Sequence, residues 1–178
     1  MEKNLKPKNF LITGIPGCGK TTLILNLIKK VPFSAGGFFT KEIREKGKRV
    51  GFEISDLEGK KKILAHIDFK DSKYKVSKYG VDISALEKIG VEAIKKALAE
   101  KDLIVIDEIG KMELFSKEFK KIVIEAFDSK KKVLATIKLK GDGFCQKLKG
   151  RKDTLLFLLK KGKQKEIEKE ILKYLLSS

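Results

Sequence analysis

Residues 10–30 read FLITGIPGCGKTTLILNLIKK. Bulky apolar residues give way to three glycines and a lysine, and then to apolar residues at helical spacing. Residues 9–14 are expected to form a buried strand. From Lys20 to Lys29, Leu23, Ile24, Leu27 and Ile28 recur as one helix face. Between them, Gly14-Ile15-Pro16-Gly17-Cys18-Gly19-Lys20-Thr21 satisfies GxxxxGK[ST], in the strand–loop–helix setting which that pattern requires. Phosphate oxygens need several donors converging at close range. Glycines let the backbone curl so that successive N–H groups point inward, and the following helix adds its positive N-terminus. Lys20 would reach β- and γ-phosphates, and the Thr21 hydroxyl would coordinate Mg²⁺. At average glycine usage a chance match in a chain of this size is on the order of a one-per-cent event.

A phosphate loop of this kind needs a carboxylate to hold the metal. The stretch LIVIDEIG supplies it, with Leu103 to Ile106 as a buried strand and Asp107-Glu108 at its carboxyl end. Ligands of open α/β sheets bind at that edge, where the phosphate loop also opens. Asp107 would bind Mg²⁺, and Glu108 would orient and polarise a water aimed at the γ-phosphate. Taken alone, an apolar run ending in Asp-Glu is a strand entering a solvated turn. Together with the phosphate loop it completes one phosphoryl-transfer site.

The rest of the chain fits an α/β fold. Short extended runs between residues 36 and 67, separated by REKG and DLEG, have the pattern of antiparallel hairpins. Ser84 and Glu87 resemble a capping box opening a helix whose Leu86, Ile89, Ala93, Ile94, Ala97 and Leu98 share a face. Residues 116–128 form a second such helix, with Phe119, Ile122, Val123 and Phe127 inward. KKVLATI and TLLFLLK are further strands, and a closing helix begins at Gln164. Apolar strands alternating with amphipathic helices imply a mostly parallel sheet with helices on both faces, carrying an antiparallel hairpin extension at residues 36–67. The 178 residues are read as a single domain with room for a core, with no linker and no repeats.

Composition sets further bounds. Hydrophobic residues are 42% of the chain and charged residues 37%, which excludes a disordered chain. No apolar run is long enough to span a bilayer, and no signal sequence opens the chain. Two cysteines, Cys18 and Cys145, and one histidine, His66, build neither an ordinary zinc site nor a disulfide framework, so a cytoplasmic location is expected. The formal charge is +17, nearly all of it from lysine, while amides are few. That balance fits heat adaptation. It also permits a nucleic-acid partner, although no nucleic-acid-binding motif accompanies it.

With these stretches in view, GIPGCGKTTL, GGFFTKEIREKGKRVGFEI, KYGVDI and LIVIDEIGKMEL resemble the small nucleoside-triphosphatases first described from thermophiles, the family that includes the cancer-related nucleoside triphosphatase. The likeness extends through GDGFCQKLKGRKDTLLFLL and so covers nearly the whole chain. It implies a RecA-like α/β fold, Mg²⁺-dependent hydrolysis of nucleoside triphosphates to diphosphates, and two nucleotide-contacting segments. Those segments fall here on Gly14 to Thr21 and on Leu103, Ile104, Val105, Ile106, Asp107, Glu108, Ile109 and Gly110.

Other residues are open to two readings. Phosphoryl transfer leaves negative charge on the γ-phosphate, which an arginine or lysine often neutralises. Arg44, Arg49 and Arg151 are the only arginines, and Lys111 is a rival; each is also an ordinary surface charge. Phe38, Phe39 and Phe52 could stack on a base, but their alternation favours core packing, as expected also for Cys145 and His66. A nucleotide or polynucleotide kinase shares the phosphate loop, but acceptor-binding lids usually carry several arginines. A nucleic-acid-stimulated ATPase is the other rival. A monomer is expected; broad base specificity is expected too, because every contact above goes to phosphate or metal.

Overall fold

A computed structural model describes residues 5–177. Strand β1 (Asn9–Thr13) is buried along its length and passes through the glycine-rich loop into α1 (Lys20–Lys30). Three longer strands follow: β2 (Ala35–Glu45), β3 (Lys48–Asp56) and β4 (Lys61–His66). A small hairpin, β5 (Lys75–Val76) and β6 (Tyr79–Val81), leads into α2 (Ile83–Ala85). That helix continues through a π-helical segment, Leu86–Val91, into α3 (Glu92–Glu100). The chain closes with β7 (Leu103–Ile109), α4 (Lys117–Asp128), β8 (Lys132–Ile137), α5 (Gly143–Lys149), β9 (Thr154–Leu158) and α6 (Gln164–Ser177).

Among the described residues the strands make one nine-stranded sheet, ordered β5-β6-β4-β3-β2-β7-β8-β1-β9. From β2 to β9 neighbouring strands run parallel, whereas β3, β4, β5 and β6 pair antiparallel. Strand β2 belongs to both parts. Its Ala35–Phe38 pair with Leu103–Ile106 of β7, and its residues from Phe38 onward pair with β3. The antiparallel run at 36–67 is therefore continuous with the parallel sheet.

Side-chain alternation sends each central strand to two cores. Leu11, Ile104, Ile106, Val133 and Ala135 face one core, closed by α3, α4 and α5. Phe10, Ile12, Leu103, Val105 and Leu134 face the other, closed by α1 and α6. Phe38 is fully buried against Phe119, and Phe52 packs edge-on to Tyr79, so these two rings serve packing.

The helix opening near residue 84 differs from expectation. Its cap is Asp82, which accepts the Ala85 N–H at 3.1 Å, while Ser84 lies inside the first turn. Glu87 accepts the Ser116 hydroxyl at 2.7 Å instead, tying this helix to the start of α4. Ser116 is the α4 cap, accepting the Phe119 N–H. An aspartate two residues before Ser84 is the better-placed acceptor for the free N–H groups of that turn.

Two carboxyl strand ends matter for function. Strands β1 and β7 flank β8 and run parallel with it, so the phosphate loop and Asp107-Glu108 meet at one edge of the sheet. No helix among the described residues is long and apolar enough to cross a membrane.

Candidate active site

The loop after β1 has its shape because of its glycines. Gly17 and Gly19 sit at φ 77° and 98°, a region where a side chain would be strained. Gly19 is also the N-cap of α1, and no side chain caps that helix end. The first N–H groups of α1 are thus left to an external acceptor. Lys20 folds over the loop, its Nζ donating to the carbonyls of Gly14 at 3.0 Å and Ile15 at 3.1 Å. From the other side the Gln164 side-chain amide donates to the Cys18 carbonyl at 2.9 Å, bracing the loop with the first residue of α6.

Across the edge, the Thr21 hydroxyl donates to Asp107 Oδ2 at 2.6 Å, and the Thr136 hydroxyl to Oδ1 at 2.5 Å. Asp107 is 2% exposed, and burial pushes its carboxyl up from the usual range, against the opposing pull of both hydroxyls and Lys20. The next residue, Glu108, follows across a cis peptide bond and is only partly exposed. Burial first, and then the charge of Asp107, push its carboxyl up; Lys20 and Lys138 act in the other direction.

A third carboxyl completes the group. Glu113, 5% exposed, accepts the Gly110 N–H at 3.2 Å. Burial, and then the charge of Glu108, raise its pKa to about 8. A methyl group added at Gly110 would lie 2.6 Å from Glu108 Oε1 and 3.1 Å from Glu113 Oε2. Glycine at 110 is what lets the two carboxyls share that space.

Of the residues singled out in the sequence, Thr21 and Asp107 are in contact, and Lys20 and Glu108 lie within electrostatic reach of each other. Leu103, Ile104, Val105, Ile106 and Ile109 are fully buried in the two cores, so their side chains position the strand end rather than face a ligand. Ile15, Pro16 and Gly17 form the exposed crest of the loop. Cys18 is buried beneath it. The arginines are engaged elsewhere. Arg44 and Arg49 pair with Glu42, and Arg49 also donates to the Tyr79 hydroxyl. Arg151 pairs with Asp128 and Asp153 beside the amino end of β9, at the opposite edge of the sheet. Burial pushes the Cys145 thiol up to about 11, as suits a packing residue.

Sequence reasoning missed Thr136, Gln164 and Glu113. Thr136 and Gln164 reach the site only through tertiary pairing. Glu113 is six residues past Asp107 in a turn, and only its burial distinguishes it from a surface glutamate.

A mixed α/β sheet whose parallel strands bring a GxxxxGKT loop and a buried Asp-Glu strand end to one edge defines a P-loop nucleoside-triphosphate-binding protein. Relatives narrow the class. A family model described as NTPase matches residues 9–172. The chain is 50% identical over 166 residues to the nucleoside-triphosphatase THEP1 of Thermotoga sp. (strain RQ2), covering 93% of this chain and 94% of that one. With the THEP1 of Methanocaldococcus jannaschii it shares 49% over 132 residues, covering 72% and 76% of the two chains. The crystal structure of THEP1 from the hyperthermophile Aquifex aeolicus superposes with a TM-score of 0.86 at 35% identity, covering 96% of this chain and 99% of that one. The solution structure of a human cancer-related nucleoside triphosphatase gives 0.79 at 30% identity, covering 96% and 98%. The chain belongs to this NTPase family.

Proposed function

We propose that the chain hydrolyses nucleoside 5′-triphosphates, with ATP, GTP, CTP and UTP all accepted, to diphosphate and phosphate in the presence of Mg²⁺. The observation that carries this reading is the 2.6 Å contact between Thr21 and Asp107, which joins the phosphate loop to the strand end bearing Glu108. The free N–H groups at the start of α1, together with Lys20, would hold the β- and γ-phosphates. Glu108 would hold a water in line with the γ-phosphorus. The water oxygen forms the new P–O bond, the bond to the bridging oxygen breaks, and the diphosphate keeps the bonding electrons. The proton of the water passes to Glu108, whose raised pKa makes it a stronger base than an exposed glutamate.

Mg²⁺ fits the residues present. The Thr21 hydroxyl and the Asp107 carboxylate are hard oxygen ligands, and a cation beside Asp107 would offset its cost of burial. No group of three or more His, Cys, Asp or Glu side chains arranged to hold a metal occurs among the described residues, so phosphate and water oxygens would complete the shell. Bound there, the ion neutralises phosphate charge. Broad base use follows from a site whose contacts all go to phosphate or metal, since base selection requires polar groups fixed against the base edge.

The test is phosphate release by purified protein from each of the four nucleotides, with no acceptor, with and without EDTA, and with and without RNA or DNA. Release from all four, with kcat/KM within about tenfold and lost in EDTA, is expected. A preference of about a hundredfold for one base, equal to about 2.7 kcal/mol, would overturn broad specificity. Turnover that requires an added acceptor would replace hydrolysis by a kinase reaction.

A further inference from the structure

An open cleft of about 380 Å³ has in its wall Lys138, which lies within electrostatic reach of Glu108. Its walls are the β5–β6 hairpin, the turn following Gly110 and the segment joining β8 to α5. Lys75, Lys111 and Lys138 come to it from these three walls, over the apolar surface of Leu114 and Phe115. The rings of Tyr74, next to β5, and Phe115 are 5.2 Å apart and hold the hairpin against the turn.

The charges in the cleft are out of balance. Lys75 and Lys111 are exposed and have no ion pair among the described residues. The Lys138 side chain is 18% exposed, and its ion partner is Asp142 at 3.7 Å, a carboxylate that also caps α5 by accepting the Cys145 N–H. Lys138 is close enough to Glu108 to oppose the rise in its pKa. The arginines, by contrast, are all committed to carboxylates. Three cations against the single carboxylate of Asp142 leave the cleft with an excess of positive charge, suited to an anion.

We propose that this cleft is a phosphate site in which Lys75, Lys111 and Lys138 receive the terminal phosphoryl group as it parts from the diphosphate and hold it as inorganic phosphate. The proposal rests on the hydrolysis reading above. It gives the lysines the charge-neutralising task that an arginine performs in many P-loop enzymes. It also separates two anion sites: the diphosphate stays with the loop and Lys20, and the phosphate departs through the cleft.

The experiment compares the triple variant Lys75→Gln/Lys111→Gln/Lys138→Gln with a control triple, Lys6→Gln/Lys121→Gln/Lys130→Gln. The control removes the same charge from exposed positions outside the cleft. In the cleft variant, kcat should fall by about tenfold or more while KM changes by less than about threefold. Inhibition by inorganic phosphate should weaken by about tenfold, inhibition by the diphosphate should hold, and the control should match wild type. Lys75→Arg/Lys111→Arg should retain activity, and the exposed pair Lys75→Gln/Lys111→Gln supplies the same readout if the triple does not fold. Unchanged kcat and phosphate inhibition in the cleft variant, or an equal loss in the control, would overturn the proposal. Direct binding of inorganic phosphate, followed by phosphorus NMR, distinguishes the two readings: a wild type that releases no phosphate from any nucleotide fails the hydrolysis reading, whereas lysine-independent phosphate binding fails the cleft.

Discussion

Replacing Glu113 with glutamine separates the charge of this side chain from its shape. In the fold, burial and the neighbouring Glu108 raise its pKa from 4.5 to about 8. Between those values the folded chain keeps a proton that the unfolded chain has lost. Stability therefore falls as pH rises from the unfolded value through the folded one, and levels off above it. A gap of about 3.5 units at about 1.4 kcal/mol each sets an upper limit of about 5 kcal/mol on this loss. Glutamine is neutral in both states and still offers an oxygen to the Gly110 N–H. Denaturant unfolding of wild type and Glu113→Gln at about pH 5 and about pH 8.5 measures the effect. The stability of the variant relative to wild type should increase by several kcal/mol between the two conditions. Asp107 and Glu108 are present in both proteins, so the difference reports the charge of Glu113 together with its coupling to those two carboxyls. A difference that stays constant across the range would show that Glu113 is already ionised in the folded chain, and the buried neutral acid would be refuted.

Thr136→Val keeps the side-chain shape but deletes the 2.5 Å bond to Asp107. A loss of about 10- to 100-fold in apparent Mg²⁺ affinity, read from activity against Mg²⁺ concentration, is expected with the fold intact by circular dichroism. Gly110→Ala puts a methyl 2.6 Å from Glu108 Oε1, so kcat should drop by about a hundredfold or more while nucleotide binding, followed by calorimetry, changes little.

How much of this was legible in the sequence depends on the reach of each signal. The phosphate loop and the Asp107-Glu108 strand end were legible because their chemistry is written in consecutive residues. The central strands were legible because burial on both faces leaves them almost wholly apolar. Strands β5 and β6, of two and three residues, are too short to show a period. Ser84 and Glu87 imitate a cap two residues beyond the true one, Asp82, and only the fold shows Glu87 bound to Ser116 instead. The Thr136 contact with Asp107 spans 29 residues and the Gln164 contact with Cys18 spans 146, so no local pattern announces either. The sequence leaves Arg44, Arg49, Arg151 and Lys111 open as cations for the γ-phosphate, because either residue type can take that task. In the fold all three arginines are ion-paired, and Lys20 and Lys138 lie within electrostatic reach of Glu108.

In the proposed reaction Glu108 acts on the attacking water and not on the nucleotide. Glu108→Gln preserves size and removes the basic carboxylate, leaving Lys20, Thr21 and Asp107 in place. Single-turnover phosphate release and equilibrium binding of the same nucleotide, measured together on this variant, separate the two roles. Binding within about threefold of wild type, and hydrolysis slowed by about a hundredfold or more, are expected. Hydrolysis at the wild-type rate would contradict this role for Glu108, as would a loss of binding as large as the loss of rate.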